Sequence, residues 1–205
     1  MKHYPNAVLS LTENTAHPLL EAITENSLDM ALVTLNEDIP SQFPNIPIKR
    51  EELVLAVPVA YAEAALKASR NSFYFQGSVY PPDNVSNTDG SSLVSVVPDV
   101  FRDRPFILSK ERTIIRDISN NLFRSANFVP QVSCEINNHA AQLQMVAAGI
   151  GIAIIPKCYI QHDGRIWYFS IFPGWYWAVS VITRRDYTLS QSDDYLISLL
   201  KTYYA

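Results

Sequence analysis

The stretch Val146-Ala147-Ala148-Gly149-Ile150-Gly151-Ile152-Ala153-Ile154-Ile155-Pro156 changes periodicity in its middle, and that change decides the fold. Its first part completes a helix that starts after Asn137-Asn138 and carries Leu143, Met145, Val146 and Ala147. Gly149 falls at the C′ position, where a left-handed residue without Cβ strain ends a helix. Ile152 to Ile155 is then a short, wholly apolar run closed by Pro156, the pattern of a strand covered on both faces.

The same alternation extends outward in both directions. Upstream lie a strand at Pro105-Phe106-Ile107-Leu108, an amphipathic helix from about Thr113 to Ala126, and a strand at Val132-Ser133-Cys134-Glu135-Ile136. The helix places Ile114, Ile115, Ile118, Leu122 and Phe123 on its apolar side. Downstream, Ile166–Ile171 and Ala178–Thr183 read as strands, and a last helix spans roughly residues 190 to 204. Near the start, Ala7-Val8-Leu9-Ser10-Leu11 reads as a strand. Asn14-Thr15 offers N-cap chemistry to a helix with Pro18 in its first turn and Leu19, Leu20 and Ile23 on one face. Asn26-Ser27 stops that helix, and Asp29 to Val33 and Leu53 to Val57 follow as buried strands. Strand, helix, strand predicts a parallel sheet covered by helices, hence an α/β fold. Residues 67 to 100, rich in Ser, Asn, Asp, Gly and Pro, read as a long surface excursion with little regular structure beyond a hairpin.

The 205 residues are 48% apolar and 18% charged, a globular composition large enough for one domain or two small lobes. The net charge of −4 speaks against these residues gripping a phosphate backbone, which needs a clustered basic surface. Cys134 and Cys158 match no metal-ligand or CxxC spacing and read as two buried thiols in a reducing cytosol. Met1-Lys2-His3-Tyr4-Pro5-Asn6 has no apolar stretch behind it, and no uncharged run approaches the ~18 residues of a membrane span. The expectation is a soluble cytoplasmic protein.

Two sets of residues resemble a known family. The first runs from Tyr4-Pro5-Asn6-Ala7-Val8-Leu9-Ser10-Leu11-Thr12-Glu13-Asn14-Thr15 through Leu19-Leu20 to Leu28-Asp29-Met30-Ala31-Leu32-Val33. The second comprises Pro105-Phe106-Ile107-Leu108, Arg116, Ala126-Asn127-Phe128 and the 146–156 run. In order and spacing they resemble the effector-binding domain of LysR-type transcriptional regulators. The resemblance implies a two-lobed, periplasmic-binding-protein-like fold of type II, joined by two crossing strands, with a small-molecule effector in the cleft. Lobe one would hold residues 1–104 and 183–205, and lobe two residues 105–182. It also implies a homodimer or tetramer that meets DNA only through a separate N-terminal winged helix-turn-helix domain. Relative to that pattern, the DNA-binding domain, linker helix, first strand and first cleft loop are expected to be missing here, leaving a sheet edge open.

Three strand-to-helix corners are the candidate effector contacts. Asn14 and Thr15 form one, where free N–H groups and the helix dipole favour an anion, although capping alone accounts for both residues. Ser109, Lys110 and Arg112 form the second. Between Arg104 and Arg116 stand four cations and one acid, Glu111, an excess unhelpful to a helix start and suited to a carboxylate or phosphate. A solvated basic loop is the plainer alternative, and Arg116 reads as structural. Asn137, Asn138 and His139 form the third, with an Asn cap and a surface histidine as the plainer reading.

Gly149-Ile150-Gly151 is no dinucleotide loop, because it follows a helix and precedes a strand. No nucleophile elbow, Walker loop or HExxH is present, and the four histidines are scattered, so no catalysis, cofactor or metal is expected. The aromatic run from Trp167 to Trp177 reads as core and dimer interface, with a binding surface as the alternative. A transporter's solute-binding protein and an enzyme on the same lobes are the rival functions. The first calls for an export signal and the second for a catalytic group, and neither is visible.

Overall fold

The computed structural model describes residues 3–5, 7–36, 43–69, 75–76, 93–161 and 163–204. They form five α-helices and nine strands. In chain order these are α1 (Ala16–Thr24), β1 (Met30–Leu35), β2 (Asn45–Pro58), α2 (Val59–Ser69), β3 (Phe75–Gln76), β4 (Ser95–Val96) and β5 (Pro105–Leu108). Then come α3 (Ile114–Ser125), β6 (Gln131–Glu135), α4 (His139–Ala147), β7 (Ile152–Pro156), β8 (Ile166–Ile171), β9 (Tyr176–Thr183) and α5 (Gln191–Tyr204). Short 3-10 turns occupy Pro98–Phe101 and Lys157–Tyr159.

The chain divides into two compact units. Met1–Arg50 with Trp177–Ala205 forms one, and Glu51–Tyr176 the other. Both divisions fall inside strands, β2 and β9, so these are the two crossing strands the resemblance implied. The boundaries differ from the expected ones, because residues 51–104 go with the second unit. The cause is β2, which is a 14-residue strand and not just Leu53 to Val57. Its residues Leu53 to Pro58 are hydrogen-bonded to β7 and β8, both of the second unit.

In the second unit the strand order is β3-β4-β8-β2-β7-β5-β6. The pairs β5–β6, β5–β7 and β4–β8 are parallel, whereas β2 runs antiparallel to β7 and β8. The sheet is therefore mixed, against the expectation of a parallel one. The helix-linked run β5-α3-β6-α4-β7 obeys the crossover rule, while β2 enters from the first unit in the opposite sense.

Successive residues of β5 explain why the sheet is covered twice. Phe106 meets Phe123 of α3 edge-on, 4.9 Å between ring centroids. Ile107 turns the other way, into a cluster with Leu143 and Val146 of α4, Val54 and Ala56 of β2, and Ala153 and Ile155 of β7. Gly151, one residue before β7, owes its identity to close approach. A Cβ there would lie 2.9 Å from the Pro105 carbonyl oxygen and 3.2 Å from Ile107. Gly149 is left-handed, at φ 77°, and ends α4 as expected.

In the first unit β1 pairs antiparallel with β9, which also pairs with β2. Ala31, Val33 and Leu35 alternate toward α1, where Leu19 and Ile23 close the core with Ile182. Residues 7–11 form no strand, contrary to the expectation. Val8 is 96% and Leu11 82% exposed, and no described strand runs beside them to supply hydrogen-bond partners.

Three further readings change. Helix α2 has no counterpart among the expected elements, although alanines at 60, 62, 64, 65 and 68 give the segment high helix propensity. The expected excursion contains β3 and β4, an antiparallel pair with β4 docked on β8, while residues 77–92 lie outside the described ones. The cysteines are not both buried, since Cys134 is half-buried on β6 and Cys158 is exposed after β7. Burial in that turn goes to Glu51, which accepts the Cys158 backbone N–H at 2.9 Å, and leaves the thiol outside.

Leu55, fully buried at the centre of β2, tests this packing. Leu55→Ala is expected to lower unfolding free energy by about 2–5 kcal/mol in urea titration. Gly151→Ala, whose new methyl meets backbone, is expected to lower it by about 1–3 kcal/mol.

Candidate functional site

The carboxyl ends of the parallel strands β5 and β6 lie side by side, with Leu108 in register with Glu135. Each strand turns directly into a helix there. The turn Ser109–Thr113 leads into α3, and Ile136–Asn138 into α4. Ile136 extends the ladder by one bond, its N–H donating to the Leu108 carbonyl at 2.9 Å.

Side chains then take over from the ladder. The Asn137 Oδ1 accepts the Lys110 backbone N–H at 2.8 Å, tying one turn to the other. The Thr113 hydroxyl donates to the Lys110 carbonyl at 2.8 Å and accepts the Arg116 N–H at 3.4 Å, capping α3. Lys110 is thus held at both backbone groups. Between these clamps Arg112 is left-handed, at φ 65°, a conformation that costs a non-glycine residue about 1 kcal/mol or more.

Arg116 organises the corner from beneath. Its guanidinium donates to the Ser109 carbonyl at 2.8 Å, to Glu135 at 2.7 Å and to Asn120 at 3.1 Å, and it pairs with Glu111 at 2.7 Å. Arg116 is itself buried. Its structural role agrees with the sequence reading. Of the other cations in this stretch, Arg104 lies over the Tyr61 ring at 5.0 Å. Lys110 and Arg112 are exposed, and neither has an ion-pair partner among the described residues.

The third corner is built on α4. Asn138 is the N-cap, its Oδ1 accepting the Ala141 N–H at 2.9 Å. His139 is half-buried rather than a surface residue. Its Nδ1 lies 2.8 Å from Gln142 Oε1 and its ring 4.7 Å from that of Tyr159. Gln142, fully buried, donates its amide N–H to the Ile136 carbonyl at 3.1 Å. Burial pushes the His139 pKa below its ordinary value, and the Gln142 hydrogen bond offsets this only in part.

Ser109, Lys110, Arg112, Asn137, Asn138 and His139 therefore converge on one edge of the second unit. Asn14 and Thr15 belong to the first. There Thr15 is the N-cap of α1 by position, yet its hydroxyl makes no capping bond, and Asn14 Oδ1 instead accepts the Thr15 N–H at 2.8 Å. Both residues are exposed.

Sequence reasoning passed over Thr113, Glu135, Gln142 and Tyr159. Gln142 carried a usable signal, a polar residue next to Leu143 on the buried side of a short helix. Glu135 carried none, because it is 19 residues from Arg116 in the chain. No cluster of three potential metal ligands occurs among the described residues, and no described helix is long and apolar enough to cross a membrane.

Two units linked by two crossing strands, with helices over both faces of a mixed sheet, define a two-lobed α/β fold of the periplasmic-binding-protein type II kind. The chain belongs to the LysR substrate binding domain family, which it matches over residues 1–71 and 91–205. The gap between those segments falls within the predicted excursion.

Among curated proteins it is similar to two uncharacterized HTH-type transcriptional regulators of Bacillus subtilis (strain 168). It is 28% identical to YybE over 156 residues, 76% of this chain and 44% of that protein. It is 24% identical to YwbI over 194 residues, 92% of this chain and 54% of that protein. The chain thus spans about half the length of these relatives. Among solved structures it is similar to the effector binding domain of QuiR in complex with shikimate. That match has a TM-score of 0.63 at 15% identity and covers 95% of this chain and 80% of that one. The Synechocystis PCC6803 CcmR regulatory domain in complex with 2-PG gives a TM-score of 0.66 at 17% identity, covering 99% and 86%. At such identities the likeness shows the fold alone.

If Arg116 holds the corner, Arg116→Ala is expected to lower unfolding free energy by about 1–3 kcal/mol, because the buried Ser109 carbonyl loses its charged donor and the corner its central tie. Arg116→Lys is expected to recover less than half of that in the same chemical denaturation, since one ammonium cannot span a planar fork's partners. Equal stability of the alanine variant and the parent would overturn this assignment.

Proposed function

We propose that this chain is the effector-sensing part of a LysR-type transcriptional regulator, and that its effector is a small anion, above all a carboxylate. Two relatives are transcriptional regulators, which supports sensing over catalysis. The observation that carries the anionic reading is the pair Lys110 and Arg112. Two exposed cations without a described ion-pair partner stand on a turn clamped at Lys110 by Asn137 and Thr113. The turn also opens a 12-residue helix, whose positive dipole end adds to their field. Shikimate, which QuiR binds, is itself a carboxylate.

In this reading Ser109, Lys110, Arg112, Asn137, Asn138 and His139 contact the effector from the second unit, and Asn14 and Thr15 from the first. Binding shifts the balance between two states of a homodimer or tetramer by differential affinity. DNA is met through a winged helix-turn-helix domain outside these residues, in the cytoplasm. The domain supplies recognition and no chemistry.

Thermal-shift screening tests the reading. Carboxylates such as benzoate and shikimate are expected to stabilise the chain, and benzamide and choline to leave it unchanged. Lys110→Ala combined with Arg112→Ala is expected to weaken carboxylate binding by at least about tenfold, the loss of roughly one charge-assisted contact. Stabilisation by neutral or cationic compounds alone, or unchanged affinity in the double variant, would sink the anionic reading.

A further inference from the structure

His139 stands where a positive charge would be unwelcome. It is the first residue of α4, so its ring lies at the positive end of that helix's dipole. The ring is half-buried against Tyr159. Its proton position is fixed by a chain of bonds. Gln142 gives its amide N–H to the Ile136 carbonyl, so the atom facing the imidazole is Oε1, which can only accept. The Nδ1 must therefore carry the hydrogen. His139 and Gln142 together brace Ile136, and Asn137, the next residue, supplies the oxygen that fixes the Lys110 N–H.

We infer that His139 is a positioning residue for the Lys110 turn. Through its Nδ1–H it braces the Ile136–Asn138 turn by way of Gln142; that hydrogen bond would survive protonation, but the half-buried seat at the positive end of α4 disfavours the cation, so protonation draws the ring toward water and the brace goes with it. This deepens the anion-sensing reading and rests on it for its functional meaning.

The surroundings support the sign. In the turn after β7, Lys157 has its ammonium on Glu52 at 3.0 Å, and Tyr159 sets its ring against that of His139. Glu135 of β6 is taken by Arg116, and the β5–α3 turn brings the cations Lys110 and Arg112 together with Glu111, which is itself paired with Arg116. Burial lowers the His139 pKa below 6.5, so the unfolded or released ring binds a proton first. The stability that His139 contributes is therefore complete above about pH 6.5 and is lost as the pH falls through the folded value. A bare charge effect on an anion would have the opposite direction, strengthening binding in acid.

Amide hydrogen exchange on the whole chain, corrected for intrinsic rates, tests this without any ligand. Protection of the Lys110 and Ala141 amides is expected to fall by at least about twofold between roughly pH 7.5 and pH 5.5 in the parent. In His139→Ala it is expected to be low at both values. In His139→Asn, whose amide N–H can replace Nδ1–H and cannot titrate in this range, it is expected to be high at both. Parent-like protection in the alanine variant, or loss in acid that persists in the asparagine variant, would overturn the inference. An anion screen that finds no ligand would sink the sensing reading and leave the exchange result, which needs no ligand, unaffected.

Discussion

The second unit depends on a single buried cation. Arg116 reaches from the first turn of α3 to the end of β5, through the Ser109 carbonyl, and to the end of β6, through Glu135. A guanidinium in the interior is tolerable only with its N–H groups engaged and its charge met. Both conditions hold here, with Glu111 and Asn120 completing the set. The geometry of a planar fork then becomes the geometry of the corner, because one guanidinium gathers acceptors from the β5–α3 turn, from β6 and from α3 itself. Ser109 is placed by its carbonyl and the Lys110 backbone by Asn137 and Thr113, which leaves the exposed side chains of Lys110 and Arg112 to face outward.

That division of labour separates cations that looked alike in the chain. Arg104, Lys110, Arg112 and Arg116 sit within 13 residues, yet one stacks on a ring, one is neutralised inside, and two remain exposed. The helical phase of Arg116, one turn into an amphipathic pattern and next to buried Ile115, was visible beforehand. Its carboxylate partner was not. Long-range pairing depends on which strands become neighbours, and a one-dimensional pattern does not contain that.

The elements with strong periodicity were legible nearly to the residue. Pro105–Leu108 and Ile166–Ile171 were read with the observed ends, and α3 begins and ends one residue inside its predicted bounds. What failed shares one physical cause. Strand formation is a property of pairs, so the apolar run at residues 7–11 carried the composition of a strand without a described neighbour to complete it. The direction of β2 likewise follows from its entry from the other unit, which composition cannot encode. At the site, two corners were found because strand-to-helix junctions have recognisable Asn and Thr cap residues, and the Ser109–Arg112 corner because its cations crowd a helix start. The tautomer of His139 was hidden, since it rests on which way a buried amide points.

The placement of β2 and β9 also sets an order on synthesis. The second unit is one uninterrupted segment, Glu51–Tyr176, and every strand of its sheet is available once that segment has been made. The first unit is assembled from the segments on either side of it, and β1 has no described partner until β9 has emerged. A ribosome therefore releases a finished second unit while Ala31, Val33 and Leu35 still lack the strand that completes their sheet. For that interval the nascent chain carries an unpaired strand edge that a chaperone, or a neighbouring copy, is free to meet first.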